Sequence, residues 1–140
     1  MEFSDVIKNR YSCEKFSSEQ IGKDKLDAIL EAGRVAPTAK NLQEQHIYVV
    51  QSESALETID KLTPCRYNAP TVLIVAYNKN NVFTYLGDKR NSGIEDATIV
   101  ATHLMLAAYN EGVDSCWINF FNPDELAKAF NLPEDEEVLM

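Results

Sequence analysis

The stretch Gly93 to Glu111 constrains this chain more than any other. Read at 3.6 residues per turn, Ile94, Ala97, Val100, Ala101, Leu104 and Ala108 share one face, while Ile99, Met105 and Leu106 lie on others. A helix apolar on nearly every side has to be covered on nearly every side. The chain has 140 residues, which is one domain by size. The pattern therefore predicts a central helix that also packs against a second subunit. The plainer reading is an ordinary core helix.

The rest of the chain supplies the partners of that helix. Phe3, Val6 and Ile7 mark a short helix over residues 3–9. Leu26, Ile29 and Leu30 stripe a second helix from about Lys23 to Val35, which Pro37 ends. The run IYVVQ (47–51) is β-branched and aromatic, hence a strand. Leu56, Ile59 and Leu62 return to helical spacing over 54–62, and TVLIVAY (71–77) is an unbroken apolar run, which predicts a strand covered on both faces. CWINFF (116–121) reads as a further strand. Asn122 then caps a short helix with Pro123 at its first position, and EEVLM starts a last strand. Helices and strands alternate, so a three-layer α+β or α/β domain follows.

Charge and cysteine usage exclude several functions. Lys and Arg total 13 against 22 Asp and Glu, a net charge of −9. That argues against nucleic acid or an anionic membrane as the main partner, though not against a small anion held locally. No apolar run approaches the roughly 20 residues of a membrane span, and the N-terminus has no signal-peptide core. Cys13, Cys65 and Cys116 are odd in number and far from metal-ligand spacing, so no metal is expected and a reduced, cytoplasmic setting fits. His46 and His103 stand alone, each read first as a surface or core residue.

Three segments could carry chemistry. The first, Arg10-Tyr11-Ser12-Cys13-Glu14-Lys15-Phe16, sets a guanidinium fork and a hydroxyl two residues apart, a pairing suited to phosphate oxygens; a solvated helix end is the alternative. The second runs from Ala36 through Pro37, Thr38, Ala39, Lys40, Asn41 and Leu42 to Gln43. Its amides can donate and accept at once, as a uracil-like ring edge requires, or the turn can satisfy its own backbone. The third, Cys116 to Phe121, offers an apolar wall in Trp117 and Ile118 beside Asn119. It could line a planar cofactor or be core. No Gly-x-Gly-x-x-Gly, P-loop or nucleophile-elbow spacing occurs, and neither histidine has an evident triad partner. An enzyme of this sequence would leave its chemistry to a bound cofactor, with no catalytic side chain.

In that order the segments resemble the nitroreductase-like family of FMN-dependent oxidoreductases. The resemblance rests on Arg10-x-Ser12 followed by Phe16, on Ala36-Pro37-Thr38-x-x-Asn41-x-Gln43, on the buried helix from Ile94, and on Gly112-x-x-Ser115-Cys116-Trp117-Ile118. It covers nearly the whole chain. It implies an α+β, three-layer α/β/α sandwich with a central mixed sheet, assembled as an obligate homodimer with FMN at the interface. It places Arg10, Tyr11 and Ser12 near the phosphate and ribityl chain. Pro37, Thr38, Ala39, Asn41 and Gln43 would lie against the flavin of the other subunit, and Trp117, Ile118 and Asn119 beside the ring. Hydride would pass from NAD(P)H through flavin N5 to a nitroaromatic, a quinone or a similar acceptor.

Three departures qualify the resemblance. Glu14 stands where the family usually has Arg or Lys, near the flavin N1 edge, so an expected cation is missing. Glu44-Gln45 replaces a frequent Pro-Trp, which predicts a less rigid turn. The single domain over 1–140 also reads as lacking a closing strand and a basic tail: either the chain is a trimmed fragment or FMN is held more weakly than in relatives. A flavin-binding or flavin-sensing protein with little turnover is the alternative function, and a plain dimeric scaffold a third.

Overall fold

The apolar run expected at 71–77 becomes the middle strand of the sheet. The computed structural model describes all 140 residues. In chain order the elements are α1 (Phe3–Asn9), α2 (Lys23–Arg34), β1 (Gln45–Val50), α3 (Glu53–Leu62), β2 (Val72–Asn78), α4 (Gly93–Asn110), α5 (Pro123–Ala129) and β3 (Glu136–Val138). The sheet order is β1-β2-β3. β1 runs antiparallel to β2 with Gln45 opposite Tyr77 and Val50 opposite Val72. β3 pairs antiparallel on the other side, Val138 opposite Ala76.

Alternation along β2 builds two cores from one strand. Val75 and Tyr77 face α2 and α4, joining Ile29, Ala97, Val100, Ala101 and Leu104. Ile74 and Ala76 face the other way, toward α3 and α5, joining Ile59, Leu126 and Val138. Val75 is 1% exposed, and a fully buried side chain of this size contributes about 1.5–3 kcal/mol. The result is helices, sheet, helices: the three-layer α+β architecture.

Close approach of α2 and α4 depends on Gly33, where an added Cβ would lie 2.7 Å from Leu104 Cδ2. Gly93 opens α4 under the Tyr77 ring, and a Cβ there would lie 2.3 Å from Tyr77 Cε2. α5 starts as its sequence predicts. Asn122 Oδ1 accepts the backbone N–H groups of Asp124 and Glu125 at 3.0 and 3.2 Å, with Pro123 next.

Two expectations are corrected. The sheet is antiparallel throughout rather than mixed; the one parallel pairing is an isolated bridge between Ser12 and Ser115. Residues 116–121 form no strand. The Phe121 N–H bonds Asn119 O at 3.0 Å and Trp117 Nε1 donates to Asn119 Oδ1 at 2.9 Å, so the chain folds on itself. β-propensity yields here because no neighbouring strand runs alongside.

α4 is not covered all round by its own chain. Ala97, Val100, Ala101, Leu104 and Ala108 are buried, but Ile94 is 60% exposed and Ile99 is open as well. Phe3, Ile7, Val35 and Phe120 are further large apolar side chains left in the open. No helix is long and apolar enough to cross a membrane.

Candidate functional site

α4 separates the candidate segments. Its 18 residues span about 27 Å at 1.5 Å per residue. The first and third segments meet beyond its C-terminal end; the second wraps its N-terminal end.

At the C-terminal end the joints are mostly backbone. Ser12 bridges Ser115, and the Cys13 N–H bonds Ser115 O at 3.0 Å. Tyr11 donates its hydroxyl to Asp114 Oδ2 at 2.9 Å, and that bond, with the carboxylate charge, pushes the phenol up to about 12. The Phe16 N–H bonds Tyr67 O at 3.1 Å, tying the segment to the 63–71 loop. Arg10 follows α1, and its Nε is buried with no hydrogen-bond partner. A buried guanidinium donor left unmet is costly, and an oxyanion would meet it.

All three cysteines gather here, although positions 13, 65 and 116 gave no sign of it in the sequence. Burial pushes the Cys116 thiol up, Glu14, Cys13 and Cys65 push it further, and Arg10 pulls it down. Arg10 and Glu14 thus act on one neighbourhood. Glu14 also acts on the Tyr67 phenol, which its bond to Cys65 foremost raises to about 12.

At the N-terminal end the turn after α2 is strained. Lys40, Asn41 and Gln43 have φ of 53°, 53° and 51°, left-handed values that side chains other than glycine rarely adopt. One bond within the turn and two from outside it hold them there. Thr38 Oγ1 accepts the Gln43 N–H at 3.0 Å, Asn81 Nδ2 donates to Leu42 O at 3.2 Å, and Asp96 Oδ1 accepts the Ala39 N–H at 2.9 Å. Thr38 therefore serves the turn's own backbone. The side-chain amides of Asn41 and Gln43 are exposed and make no hydrogen bond within the chain.

Below this turn lies a pair the sequence did not reveal. Glu44 and Asp96 are each 2% exposed, and both Glu44 oxygens and Asp96 Oδ2 lack any donor. Burial first, then its contact with the Asp96 carboxyl, pushes the Glu44 carboxyl up to about 7. Glu44 read only as a substitution loosening the turn. A charged residue just ahead of an apolar strand gives no sign of pointing inward.

The twelve candidate residues therefore fall into two groups in one chain. Arg10, Tyr11, Ser12, Glu14, Trp117, Ile118 and Asn119 lie beyond the C-terminal end of α4; Pro37, Thr38, Ala39, Asn41 and Gln43 lie at its N-terminal end. No hydrogen bond joins the 36–45 turn to either of the other segments. A cavity of about 1120 Å³ beside the first group does not unite them. Its walls include Leu26, Leu73, Leu104, Cys116 and Trp117, with nothing from the 36–45 turn. It is a gap beside the core, open to one group alone.

The histidines stand apart from both groups. His46 Nδ1 pairs with the buried Glu136 carboxylate, which also accepts the Tyr48 hydroxyl. The sequence gave His46 no partner; the structure gives it a carboxylate but no nucleophile. His103 Nδ1 lies 3.2 Å from Ala32 O.

With this geometry in place, comparison with known proteins is informative. The model of the nitroreductase family matches residues 7–66 and 62–140. A nitroreductase family protein from Clostridium difficile 630 is 34% identical with a TM-score of 0.95, over 99% of this chain and 80% of that one. A Bacillus subtilis (strain 168) relative, provisionally named NAD(P)H nitroreductase YodC, is 27% identical over 93% of this chain and 82% of its own. A structure from Exiguobacterium sibiricum 255-15, solved in complex with FMN, shares the fold at 20% identity. Its TM-score is 0.87, over 99% of this chain and 84% of that one.

Proposed function

The chain belongs to the nitroreductase family, and on that premise we propose that it is an FMN-dependent oxidoreductase. It takes hydride from NAD(P)H and gives it to a nitroaromatic, a quinone or a similar electron acceptor. The observation that carries this reading is the split of the candidate residues between the two ends of α4. Each end holds polar groups its own chain leaves unmet: the Arg10 Nε at one, the Asn41 and Gln43 amides at the other. A second copy lying antiparallel along α4 would bring unlike ends together. The open apolar side chains Ile94, Ile99, Phe3 and Phe120 give that copy a surface, and an interface of this kind should exceed about 2,000 Å² in total.

Bound FMN supplies the hydride relay between donor and acceptor. The residues present fit it. Arg10 answers the phosphate with a charge-assisted, forked contact, and Ser12 adds one neutral hydrogen bond. Asn41 and Gln43 of the other copy read the polar ring edge, while Pro37, Thr38 and Ala39 approach by backbone. Trp117 and Ile118 exclude water from one side, and Asn119, held by Trp117, sets the end of that wall. No side chain of either group is required as an acid or base. Position and a dry cleft do the work of this chain.

An absorption spectrum of the purified protein, before and after anaerobic NADH, tests the reading. A yellow protein that bleaches supports it. A yellow protein that NADH leaves unchanged indicates flavin binding without turnover, and a colourless one that takes up no added FMN overturns it.

A further inference from the structure

Two carboxyl groups, both almost wholly buried, lie against each other beneath the turn that reads the flavin. Glu44 opens onto β1, and its own carbonyl accepts the Asn78 N–H at 2.8 Å. Asp96 sits in the first turn of α4. Three of their four oxygens have no donor, and the fourth, Asp96 Oδ1, accepts the Ala39 N–H. Two like charges so placed cannot both persist away from water. Neither Glu44 oxygen nor Asp96 Oδ2 has a cation or other donor in hydrogen-bond reach, and Asp96 is the one charged side chain acting on Glu44. The titratable groups facing the pair are Tyr77 from β2, which feels Glu44, and Tyr85 from the loop before α4, which feels Asp96; beyond Tyr85 lie Arg90, stacked on its ring at 4.2 Å, and Glu95, which accepts its hydroxyl. Glu137 of β3 lies beyond Tyr77.

The helix decides which carboxyl keeps the charge. Asp96 lies where the α4 dipole favours an anion, and it already accepts a backbone N–H. Glu44 sits at no helix terminus, and the one backbone group near its carboxyl, its own N–H, is too poorly aligned to form a hydrogen bond. We propose that Glu44 and Asp96 share one proton, carried by Glu44, and that this protonated pair positions the 38–43 turn, so the grip on FMN loosens when the proton is lost. Glu44 and Asp96 are thus positioning residues. Glu44 donates to Asp96, and Asp96 holds Ala39, which leads into the left-handed Lys40. Ionised Glu44 would repel Asp96 and draw water under the turn.

The proposal rests on the FMN reading, so its test has one arm with FMN and two without. The first arm measures FMN affinity from about pH 5.5 to pH 8.5 for wild type, Glu44→Gln and Asp96→Asn. Gln at 44 donates to Asp96 at every pH. Wild-type affinity should fall at least about threefold, relative to Glu44→Gln, as pH passes through neutrality. The second phosphate ionisation, near ~6, is common to all and cancels in the comparison. Asp96→Asn should move the wild-type midpoint to lower pH, since it removes a like charge.

The other arms use the FMN-free protein. A carboxyl whose proton is held to higher pH in the folded chain stabilises it most below its ordinary pKa of 4.5; that stability falls as pH rises to about 7 and is level above. The melting temperature should therefore drop over this window relative to Glu44→Gln. At pH near 6 the infrared spectrum of wild type should show the carbonyl stretch of a protonated carboxyl, absent from Glu44→Gln. Should FMN fail to bind at all, the functional reading falls and these two arms still judge the pair. Identical pH dependence in wild type and Glu44→Gln, with no protonated carboxyl in the infrared, would overturn the proposal.

Discussion

The two ends of α4 hold their candidate groups by different means. Beyond the C-terminal end, main-chain pairings carry the burden: the Ser12–Ser115 bridge, the Cys13–Ser115 bond and the Phe16–Tyr67 bond. Backbone bonds do not titrate, so this half should keep its shape across pH. At the N-terminal end a strained turn of left-handed residues has two short-range main-chain bonds of its own, Asn41 to Thr38 and Leu42 to Ala39, and is pinned further by side chains, Thr38, Asn81 and Asp96. That half depends on particular side chains and, on the proposal above, on a proton. One flavin site assembled from both would take a constant anion grip from one copy and an adjustable ring contact from the other.

The sharpest way to break the comparison is to damage one end alone. Gly93→Val puts a branched side chain where even a Cβ would lie 2.3 Å from the Tyr77 ring, with two further ring atoms within 3 Å. Overpacking of this kind should destabilise by about 3 kcal/mol, read as a lowered urea midpoint. Wild-type stability in that variant would mean that Tyr77 can swing aside.

At the other end Arg10→Ala should cost ~1.5–3 kcal/mol in FMN binding, a ten- to hundredfold loss. Ser12→Ala should cost less, ~0.5–1.5 kcal/mol. Titration of the FMN-free protein with FMN gives both constants, and unchanged affinity in Arg10→Ala would remove that residue from the phosphate.

Glu14→Lys should have the smallest effect. Glu14 is exposed, yet its charge reaches Cys116 alongside that of Arg10. Replacing it with a cation should favour the extra negative charge of reduced flavin by roughly 1 kcal/mol after screening, a rise of about 20 mV for a two-electron couple. A redox titration of both proteins on one day reads the difference. An unchanged potential would make Glu14 a bystander.

How much of this was legible in the sequence follows the same division. Helices and strands with a regular apolar period were legible, including the Asn122 cap and the doubly covered β2. So was the excess apolar surface of α4, because a periodic pattern shows when one chain cannot cover it. The segment 116–121 misled because its residues favour a strand but find no neighbour. Glu44 misled for the opposite reason. Its buried carboxyl neighbour, Asp96, is 52 positions away, and no local pattern announces such a neighbour at that distance. The thiol cluster was hidden in the same way. The separation of the motif residues was implied by the resemblance, which set the 37–43 turn against the flavin of the other subunit, but no local pattern shows it, since it is a property of the length and direction of α4.

Mixed oligomers test that separation most directly. One chain carries Arg10→Ala, the other Thr38→Ala with Asn41→Ala, and each alone should bind FMN weakly. Unfolded together in equal amounts and refolded, half the dimers pair unlike chains. If each site takes Arg10 from one copy and the turn from the other, every mixed dimer has one site with both defects and one with none. About a quarter of all sites should then bind FMN as tightly as wild type. If each site instead draws both groups from one chain, every site keeps a defect, and no tight binding will return on mixing.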